Sequence, residues 1–357
     1  MRILVINCGS SSIKYKLFAL PSFSLLQKGL VEKIGEAGSK IKTHHQAVRI
    51  VFDKLGTEID KISAIGHRVV HGGEKFTKPV VINKSVISEI KKDIKLAPLH
   101  NPANLEGILA CQKILPHIKQ VAVFDTSFHQ TMPEYAYLYA LPYKFYTKNQ
   151  IRRYGFHGTS HQYVAEKAAR ILHKPLNKVK LITVHLGNGC SISAVDRGKC
   201  VDTSMGFTPL EGLIMGTRCG DIDPAVIFYL ARQFNLSIDE IDELLNKESG
   251  LLGISGISND VRQIKSQSIA GNKRAKLALK MFVYRIKKYV SSYLGVLGGA
   301  DAVVFTAGIG ENNPGFIKEI TSGLRKFLKK MPEILVVPTN EELMIARLVY
   351  KSIKKKK

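Results

Sequence analysis

The chain contains few cysteines, and none of them are spaced as a C-x-x-C pair. The 357 residues include five cysteines, and no two of them form a C-x-x-C pair. This scatter excludes a disulfide framework and a zinc site of the usual spacing, and it is typical of a reducing compartment. The sequence also lacks a secretory signal and an apolar run long enough to cross a bilayer. We therefore expect a cytoplasmic protein without a membrane partner.

Acidic residues are also few, with 29 of them against 53 lysines and arginines, and the net charge is +24. Such a charge can indicate a protein that binds nucleic acid. However, the lysines are spread along the chain, the one dense run is the terminal KSIKKKK, and no basic patch is interleaved with aromatic residues. We therefore expect a solvated basic surface and no nucleic-acid partner. Strongly salt-sensitive binding of duplex DNA would support the alternative of a nucleic-acid-binding protein.

A polar turn follows the first apolar run of the chain. Residues 4–18, LVINCGSSSIKYKLF, place Gly9, three serines and Lys14 directly after a strand-like segment. Beyond the turn, apolar and polar residues alternate with the period of two that predicts a second strand. A P-loop requires a helix here and a G-x-x-x-x-G-K-[ST] spacing, which the segment lacks. The pattern predicts a β-hairpin whose turn presents N–H groups and hydroxyls to a phosphate.

A second segment of this kind lies almost half a chain away. Residues 181–195, LITVHLGNGCSISAV, run from an apolar strand through a glycine-rich turn to an alternating strand. Asn7 of the first segment corresponds to His185 of the second, and Gly9 corresponds to Gly187. Two such hairpins suggest duplicated domains that face one cleft.

Helical patterns separate and follow these strands. Ser237 and Glu240 form a capping box, and Gly250 is the stop signal of the helix that they open. A long amphipathic segment at 276–297 leads to the strand-like AVVFT and to AGIGEN at 307–312, which we interpret as a tight glycine turn. Alternating strands and helices are typical of the α/β class.

Two arginines in glycine-rich loops are candidates for binding anions. Arg68 lies in AIGHRVVHGG, and Arg218 lies in MGTRCGDIDP. A guanidinium can fork onto carboxylate or phosphate oxygens and can stabilise charge on a transferring phosphoryl group. Asp125 follows the apolar run VAVF, and α/β sheets present functional groups at the carboxyl ends of their strands. The structural alternatives are surface arginines and an aspartate that caps a turn.

Three histidines lie in similar loops. RRYGFHGTSH places His157 and His161 four residues apart, a spacing that can set two imidazoles on one helix face for a metal ion. No third ligand is evident, so zinc is not expected. We interpret His157 as a positive donor near a phosphoryl group and His161 as a residue that orients the loop. His100, in APLHNP, is by itself typical of a loop histidine bonded to the backbone.

Together these stretches closely resemble the acetate kinase family, within the acetate and sugar kinase, heat-shock chaperone and actin superfamily. The matching strings span residues 6–347 in the family's order and are NCGSSSIKY, GHRVVHGG, APLHNP, FDTSFHQTMP, RRYGFHGTSH, HLGNGCS, VDTSMGFTPLEGLIMGTRCGDIDP, SGLLGISG, FTAGIGEN and PTNEELMIAR. The resemblance implies an α/β fold of two ribonuclease-H-like (actin-like ATPase) domains facing an interdomain active-site cleft, and a homodimer. The expected domains are 1–130 and a nucleotide-binding domain at 131–342, with a C-terminal helix at 343–357 that packs on the first. The chain is shorter than typical members, and we expect the shortening between residues 18 and 66.

The resemblance also implies a role for each matching residue. The catalytic positions are Asp125, His157, Arg218 and His100. The carboxylate arginine is Arg68, and the pocket for the acyl methyl group comprises Val70, Leu99, Phe156 and Pro209. The magnesium positions are Asn7 and Glu341. The ATP positions are Ser10, Ser12, Lys14, His185, Leu186, Gly187, Asn188, Gly189, Asp260, Val261, Arg262, Gly308, Ile309, Gly310, Glu311 and Asn312.

The implied reaction is reversible in-line phosphoryl transfer from ATP to acetate, which gives acetyl phosphate and ADP. Mg²⁺ is the expected cofactor, with Mn²⁺ as a substitute. A short carboxylic acid has a pKa near that of Glu, roughly 4.3, so acetate is already an anion at neutral pH and no strong general base is needed. We therefore interpret Asp125 as an orienter of magnesium or water more than as a proton acceptor. Arg68 would hold the carboxylate, while His157 and Arg218 would neutralise oxygens of the transferring group.

The nearest alternative is a propionate kinase, which shares every motif. Val70 narrows the pocket more than a smaller residue would, and one methylene is worth ~1–3 kcal/mol of discrimination, so the sequence favours acetate with propionate as a secondary substrate. A butyrate kinase fits less well, because GHRVVHGG and RRYGFHGTSH are characteristic of the acetate branch. A non-catalytic actin-like nucleotide binder would need the glycine turns but would have no use for Arg68, His157 and Arg218 together.

Overall fold

The computed structural model of the protein describes residues 1–98, 100–326 and 328–354. Two predictions fall partly or wholly outside these residues, because Leu99 and the last three residues of the predicted C-terminal helix are not among them. No described helix has the length and apolar character needed to span a membrane.

The chain divides into two compact units. The first comprises Met1–Gln130, Gly158–Ser160 and Asn340–Lys357, and the second comprises Thr131–His157 and His161–Thr339. Each unit contains one β-sheet with helices.

Strands and helices alternate along much of the chain. The strands are β1 (Arg2–Cys8), β2 (Ile13–Ala19), β3 (Ser24–Val31), β4 (Ile62–Val69), β5 (Val80–Val81), β6 (Lys119–Phe124), β7 (Lys180–Leu186), β8 (Cys190–Asp196), β9 (Lys199–Thr203), β10 (Ala302–Thr306) and β11 (Glu333–Val336). The helices are α1 (His44–Leu55), α2 (Lys84–Lys92), α3 (Asn101–Ile114), α4 (Glu134–Tyr137), α5 (Lys144–Asn149), α6 (Gly158–Ile171), α7 (Ala225–Phe234), α8 (Ile238–Glu243), α9 (Gly250–Ser255), α10 (Val261–Ile269), α11 (Lys273–Leu297), α12 (Ala307–Asn312), α13 (Pro314–Ser322) and α14 (Glu341–Lys354).

The sheet of the first unit has six strands in the order β3-β2-β1-β4-β6-β5. Strands β1, β4 and β6 are parallel neighbours, and β2, β3 and β5 run antiparallel to the strands beside them. Asn7 pairs with Lys14 and Cys8 pairs with Ile13, so residues 9–12 form the turn between β1 and β2. The predicted first hairpin is confirmed.

The sheet of the second unit has five strands in the order β11-β10-β7-β8-β9. Strand β10 is parallel to β7 and β11, whereas β7, β8 and β9 form an antiparallel meander. Leu186 pairs with Cys190, which leaves residues 187–189 as the turn of the second predicted hairpin. The α/β class and the second hairpin are confirmed.

The stretch AGIGEN differs from its prediction, because it forms helix α12 and not a tight turn. The Oε1 atom of Glu311 accepts a hydrogen bond of 2.8 Å from the backbone N–H of Ala307. This bond satisfies one of the N–H groups that the first turn of a helix leaves free, and it stabilises a helix despite its two glycines.

Helix α14 packs closely on one face of the first sheet. Its residues Ile345 and Val349 are fully buried against Val5 and other apolar side chains of β1, β4 and β6. A Cβ atom built on Gly66 of β4 would lie 2.7 Å from Val349 and 2.9 Å from Ile345. A methyl group at this position would therefore force Val349, Ile345 or the helix that carries them to shift.

Candidate active site

Arg68 and Asp125 meet at one edge of the first sheet. Arg68 lies near the carboxyl end of β4, and Asp125 directly follows the parallel strand β6, with its N–H bonded to the carbonyl of Val69 at 2.9 Å. The Nε atom of Arg68 is 3.0 Å from both carboxylate oxygens of Asp125, and its Nη2 atom is 2.5 Å from Oδ2. The Arg68 guanidinium thus already forms a forked hydrogen-bonded pair with a carboxylate, the group whose geometry it matches.

In this pair, burial and the charge of the neighbouring groups shift each pKa in opposite directions. Burial raises the pKa of Asp125, and the charge and hydrogen bonds of Arg68 only partly offset that rise. Burial also works against the charge of Arg68, but Asp125 and Glu341 outweigh it and raise the pKa of Arg68. Arg68 therefore stays a cation at every physiological pH.

Oxygen atoms from three elements surround the Arg68 guanidinium. Besides Asp125, Asn7 of β1 places Oδ1 3.5 Å from Nη1, and Glu341 of α14 places Oε2 3.9 Å from Nε. Mg²⁺ typically takes one or two protein carboxylates and completes its octahedron with waters and substrate phosphates. The amide and carboxylate oxygens of these residues fit such an ion. Within the described ranges no group of three or more His, Cys, Asp or Glu side chains could hold a metal alone.

The turn of the first hairpin holds two of the predicted ATP positions. Ser10 and Ser12 lie in it, and the N–H of Gly9 donates to the carbonyl of Ser12 at 2.7 Å. Lys14, in contrast, is paired with Glu342, whose Oε1 atom is 2.9 Å from its Nζ atom. Glu342 was not predicted, and its position next to Glu341, just before the predicted helix at 343–357, gave no signal for it.

The acyl-pocket predictions divide between the two units. In the first unit, Val70 is buried directly after β4, on the segment that carries Arg68. In the second unit, Phe156 is buried directly before His157. The carbonyl of Pro209 accepts a hydrogen bond of 3.2 Å from Nη1 of Arg218.

His100 lies directly before α3, as its N-cap. Its charge lowers the pKa of Asp125, although less than Arg68 does. The structure thus places His100 within electrostatic reach of the predicted catalytic aspartate.

A chain of hydrogen bonds orients His157 in the second unit. The hydroxyl of Ser191 bonds to Nδ1 of His157 at 2.8 Å and to Nε2 of His161 at 2.7 Å, and Nδ1 of His161 bonds to Thr183 at 2.7 Å. The His157 ring also stacks on His185, with 4.3 Å between the ring centroids. His161 is thus linked to the His157 ring through the hydroxyl of Ser191.

Arg218 and His157 both face the turn of the second hairpin. A Cβ atom on Gly189 would lie 3.3 Å from Nε2 of His157 and 3.7 Å from Nη1 of Arg218. Burial lowers the pKa of Arg218, and no carboxylate among the described residues forms an ion pair with it. A desolvated guanidinium without a counterion is strongly disposed to bind an anion.

A cavity of about 1050 Å³ lies beside this turn. The predicted ATP positions that line it are Gly187, Asn188, Asp260, Val261, Arg262, Gly308, Ile309 and Asn312. The cavity is at the upper end of the size typical of ligand pockets, and large enough for a nucleotide.

Other predicted ATP positions support the walls of this cavity. His185 and Leu186 end strand β7, Gly310 is buried in α12, and Glu311 bonds to the backbone of Ala307 and Thr339. These residues hold the backbone around the cavity and do not line it.

Lys265 lines the same cavity and was not predicted. It follows Arg262 by three residues on α10, so the two side chains share a helix face. Its Nζ atom is 2.9 Å from Oδ1 of Asn313. The helical spacing from Arg262 is the one sequence signal that could have identified it.

Comparison with known proteins gives consistent results. The Acetokinase family profile matches residues 2–347. Acetate kinase from Halothermothrix orenii is 51% identical, over 97% of this chain and 98% of that protein, and acetate kinase from Dictyoglomus thermophilum is 49% identical over the whole of both. The alignment with the first runs over 393 positions, more than the 357 residues of this chain, so the relative has segments that this chain lacks.

Solved structures show the same likeness. The acetate kinase of Porphyromonas gingivalis superposes with a TM-score of 0.93 at 44% identity, over 99% of each chain. A propionate kinase from Francisella tularensis superposes with a TM-score of 0.91 at 46% identity, over 97% of this chain and 98% of that one.

Proposed function

This chain belongs to the acetokinase family, and from that premise we propose that it transfers a phosphoryl group reversibly between ATP and acetate. The observation that carries the proposal is the pair of half-buried guanidinium groups, one on each unit. Arg68 is seated on a carboxylate, and Arg218 has no acidic partner among the described residues. A reaction that joins a carboxylate to a phosphoryl group needs one cation for each.

The carboxylate side of the reaction is assigned to the first unit. Asp125 engages Arg68 in the same way that a substrate carboxylate would, so acetate binds by sharing or replacing those contacts. Val70 lies two residues further along the same segment and would contact the methyl group. Acetate is ionised above a pKa of roughly 4.3, so its oxygen attacks without a general base, and Asp125 serves to orient groups.

The phosphoryl side is assigned to the second unit. The nucleotide occupies the cavity of about 1050 Å³, next to the turn that His157 and Arg218 face. Both side chains would neutralise the equatorial oxygens of the transferring group, where charge is spread in the transition state. The hydrogen bond between Nδ1 of His157 and the hydroxyl of Ser191 fixes the ring so that little reorganisation is needed.

We propose that Asn7 and Glu341 hold Mg²⁺, or Mn²⁺ in its place, with Asp125 orienting a water of the ion. The bound ion would supply positive charge to the nucleotide phosphates. The oxygen donors around Arg68 support this assignment.

The proposal is tested by trapping acyl phosphate as hydroxamate in the presence of magnesium-ATP. We expect kcat/KM to be higher for acetate than for propionate, with butyrate poorest, because Val70 narrows the pocket. Propionate ahead of acetate would keep the mechanism and contradict the role of Val70. The absence of acyl phosphate from all three acids would contradict the proposed function.

The variant Arg218→Ala tests the transition-state role. We expect kcat to fall by about 10³ with magnesium-ATP and acetate, because one arginine contact to the transferring group is worth that much. Arg170→Ala, which removes an exposed arginine at the end of α6, is the matched control and should keep wild-type turnover. Near wild-type turnover of Arg218→Ala would refute the assignment.

We further propose that the protein is a cytoplasmic homodimer with domains at 1–130 and 131–342. The family resemblance supports the dimer, and so do the large apolar side chains that α7 exposes. Phe228, Tyr229 and Phe234 are 58%, 59% and 63% exposed in the single chain.

A further inference from the structure

Two buried asparagines open helix α3 and have no part in the roles described above. Asn101 is fully buried and Asn104 is 4% exposed. They lie three residues apart in the stretch HNPANL, so they project from neighbouring turns on one face of the helix. Buried side-chain amides are retained only where their donors and acceptors are satisfied, and here the partners are backbone groups of the candidate site.

Asn104 bonds to two separate segments of the first unit. Its Nδ2 atom donates to the carbonyl of Cys8 at 2.7 Å, and its Oδ1 atom accepts from the N–H of Val70 at 2.9 Å. Cys8 is the last residue of β1, between Asn7 and the phosphate turn, and Val70 directly follows β4. One amide therefore joins the backbone of the phosphate hairpin to the backbone of the acyl pocket.

Neighbouring residues of α3 reinforce this connection. Asn101 accepts from the N–H of His71 at 3.1 Å and donates to its carbonyl at 3.0 Å, which fixes both backbone groups of the residue after Val70. One turn beyond Asn104, a Cβ atom on Gly107 would lie 2.2 Å from Sγ of Cys8. Glycine at this position lets α3 approach β1 closely enough for the amide of Asn104 to reach its carbonyl.

We propose that Asn104 is a positioning residue that sets the phosphate hairpin and the acyl pocket relative to each other. The proposal rests on the proposed function, since it concerns the same two substrates. Without the side chain, the carbonyl of Cys8 and the N–H of Val70 lose their partners in a buried environment, and each segment shifts separately to find new ones. A displacement on the order of 1 Å can lower a rate by about 10².

The test compares Asn104→Ala with the wild-type enzyme in the hydroxamate assay. We expect kcat/KM for acetate to fall by about 10- to 100-fold, with a higher KM for acetate. The ratio of kcat/KM for propionate to that for acetate should rise, because Val70 is no longer held against the methyl group. A purely structural role would lower the yield of folded enzyme and leave both KM and this ratio unchanged.

Asn83→Ala is the matched control. Asn83 belongs to the same unit and also accepts a backbone hydrogen bond, from Val86 at 2.9 Å, but it caps α2 away from the candidate site. We expect this variant to lose some thermal stability and to keep the wild-type KM and acid preference.

Amide hydrogen exchange gives a second readout that does not depend on activity. In Asn104→Ala, the N–H of Val70 should exchange faster, while amides of the second unit keep their wild-type rates. If Asn104→Ala does not accumulate as folded protein, we expect the same changes in KM, acid preference and amide exchange from Asn104→Ser. Wild-type KM and acid preference in either folded variant would overturn the proposal. Failure of the wild-type enzyme to form any acyl phosphate would instead overturn the proposed function.

Discussion

At the scale of single residues, the two arginines of the site differ in their charged surroundings. Arg68 is held between Asp125, Asn7 and Glu341, whereas Arg218 donates hydrogen bonds to the carbonyl of Pro209 and the sulfur of Met215 and has no acidic partner among the described residues. Under the proposed function, the first arrangement would keep a cation in place before substrate arrives. The second would leave a cation whose charge substrate can balance.

Glu342 illustrates the energetic side of this arrangement. Burial raises its pKa, but Lys16 and Lys14 outweigh burial and hold the pKa of Glu342 below its usual value. A lowered folded-state pKa contributes stability above the unfolded pKa and loses it as the pH falls through the folded one. We expect Glu342→Gln to lower the free energy of unfolding by about 1–2 kcal/mol at pH 7.

The pH dependence of that loss is the decisive measurement. In denaturant titrations, the difference between the wild type and Glu342→Gln should shrink below about pH 4.3 and vanish under the folded-state pKa of Glu342. The control is Glu243→Gln, which breaks an exposed pair with Lys247 and should change stability little, since such pairs contribute little. A difference that is independent of pH would contradict the ionic origin.

The residue types of the site could be predicted from the sequence, but their pairings could not. Arg68 and Asp125 stand out because each follows an apolar run and lies among polar or glycine residues. Their contact depends on β4 and β6 being parallel neighbours, which brings together residues 57 positions apart. Asn104 gave no signal, because an asparagine near a helix start is usually a cap.

At the scale of elements, the hairpins were predictable because their signals are local. A period of two on both sides of a turn rich in Gly and Ser leaves few other structures. The helix that begins at Ser237 was predicted to stop at Gly250, and the stop is confirmed, because the helical segment runs to Glu248 and Gly250 has a positive φ of 61°. What was not predicted is that α8 changes at Glu243 to a π-helical turn at 244–248.

The π-helical turn makes tertiary contacts through its carbonyl groups. The carbonyl of Leu245 accepts from the N–H of Cys219 at 3.1 Å, and the carbonyl of Asn246 accepts from the hydroxyl of Thr217 at 2.9 Å. These carbonyls bond to the loop that carries Arg218. Tertiary bonds of this kind cannot be read from local sequence patterns.

The packing of α14 on β4 gives a prediction at the same scale. Gly66→Ala should lower the free energy of unfolding by about 1–3 kcal/mol, because the new methyl group would overlap Val349 and Ile345. Gly315→Ala is the control, since nothing lies within 4 Å of a Cβ atom there and the residue is in helix α13. That control should be neutral or stabilising. Equal unfolding midpoints for wild type and Gly66→Ala would contradict the packing argument.

At the scale of the whole molecule, the exposed apolar face of α7 and the net charge of +24 have opposite effects on self-association. Apolar patches favour association, and a large net charge opposes it. A homodimer that covers α7 would reconcile the two, because it hides apolar area while the lysines remain in water.

Light scattering on the purified protein tests this expectation. We expect a mass close to twice the 39.6 kDa of the chain, and we expect the double variant Phe228→Ser, Tyr229→Ser to shift it toward the monomer. Leu25→Ser, which changes an exposed leucine of β3 in the first unit, should leave the mass unchanged. A monomeric wild type would contradict the proposed dimer.

The hydrogen bonds around Ser191 have a direction as well as a length. A hydroxyl carries one hydrogen, so Ser191 can donate to only one of the two imidazoles that it contacts. When His157 is a cation, its Nδ1–H must donate to Ser191. If Ser191 then donates to Nε2 of a neutral His161, the N–H of that ring is on Nδ1 and donates to Thr183. In that arrangement the charge of His157 and the tautomer of His161 are coupled through one hydroxyl, along a path that ends in the middle of strand β7.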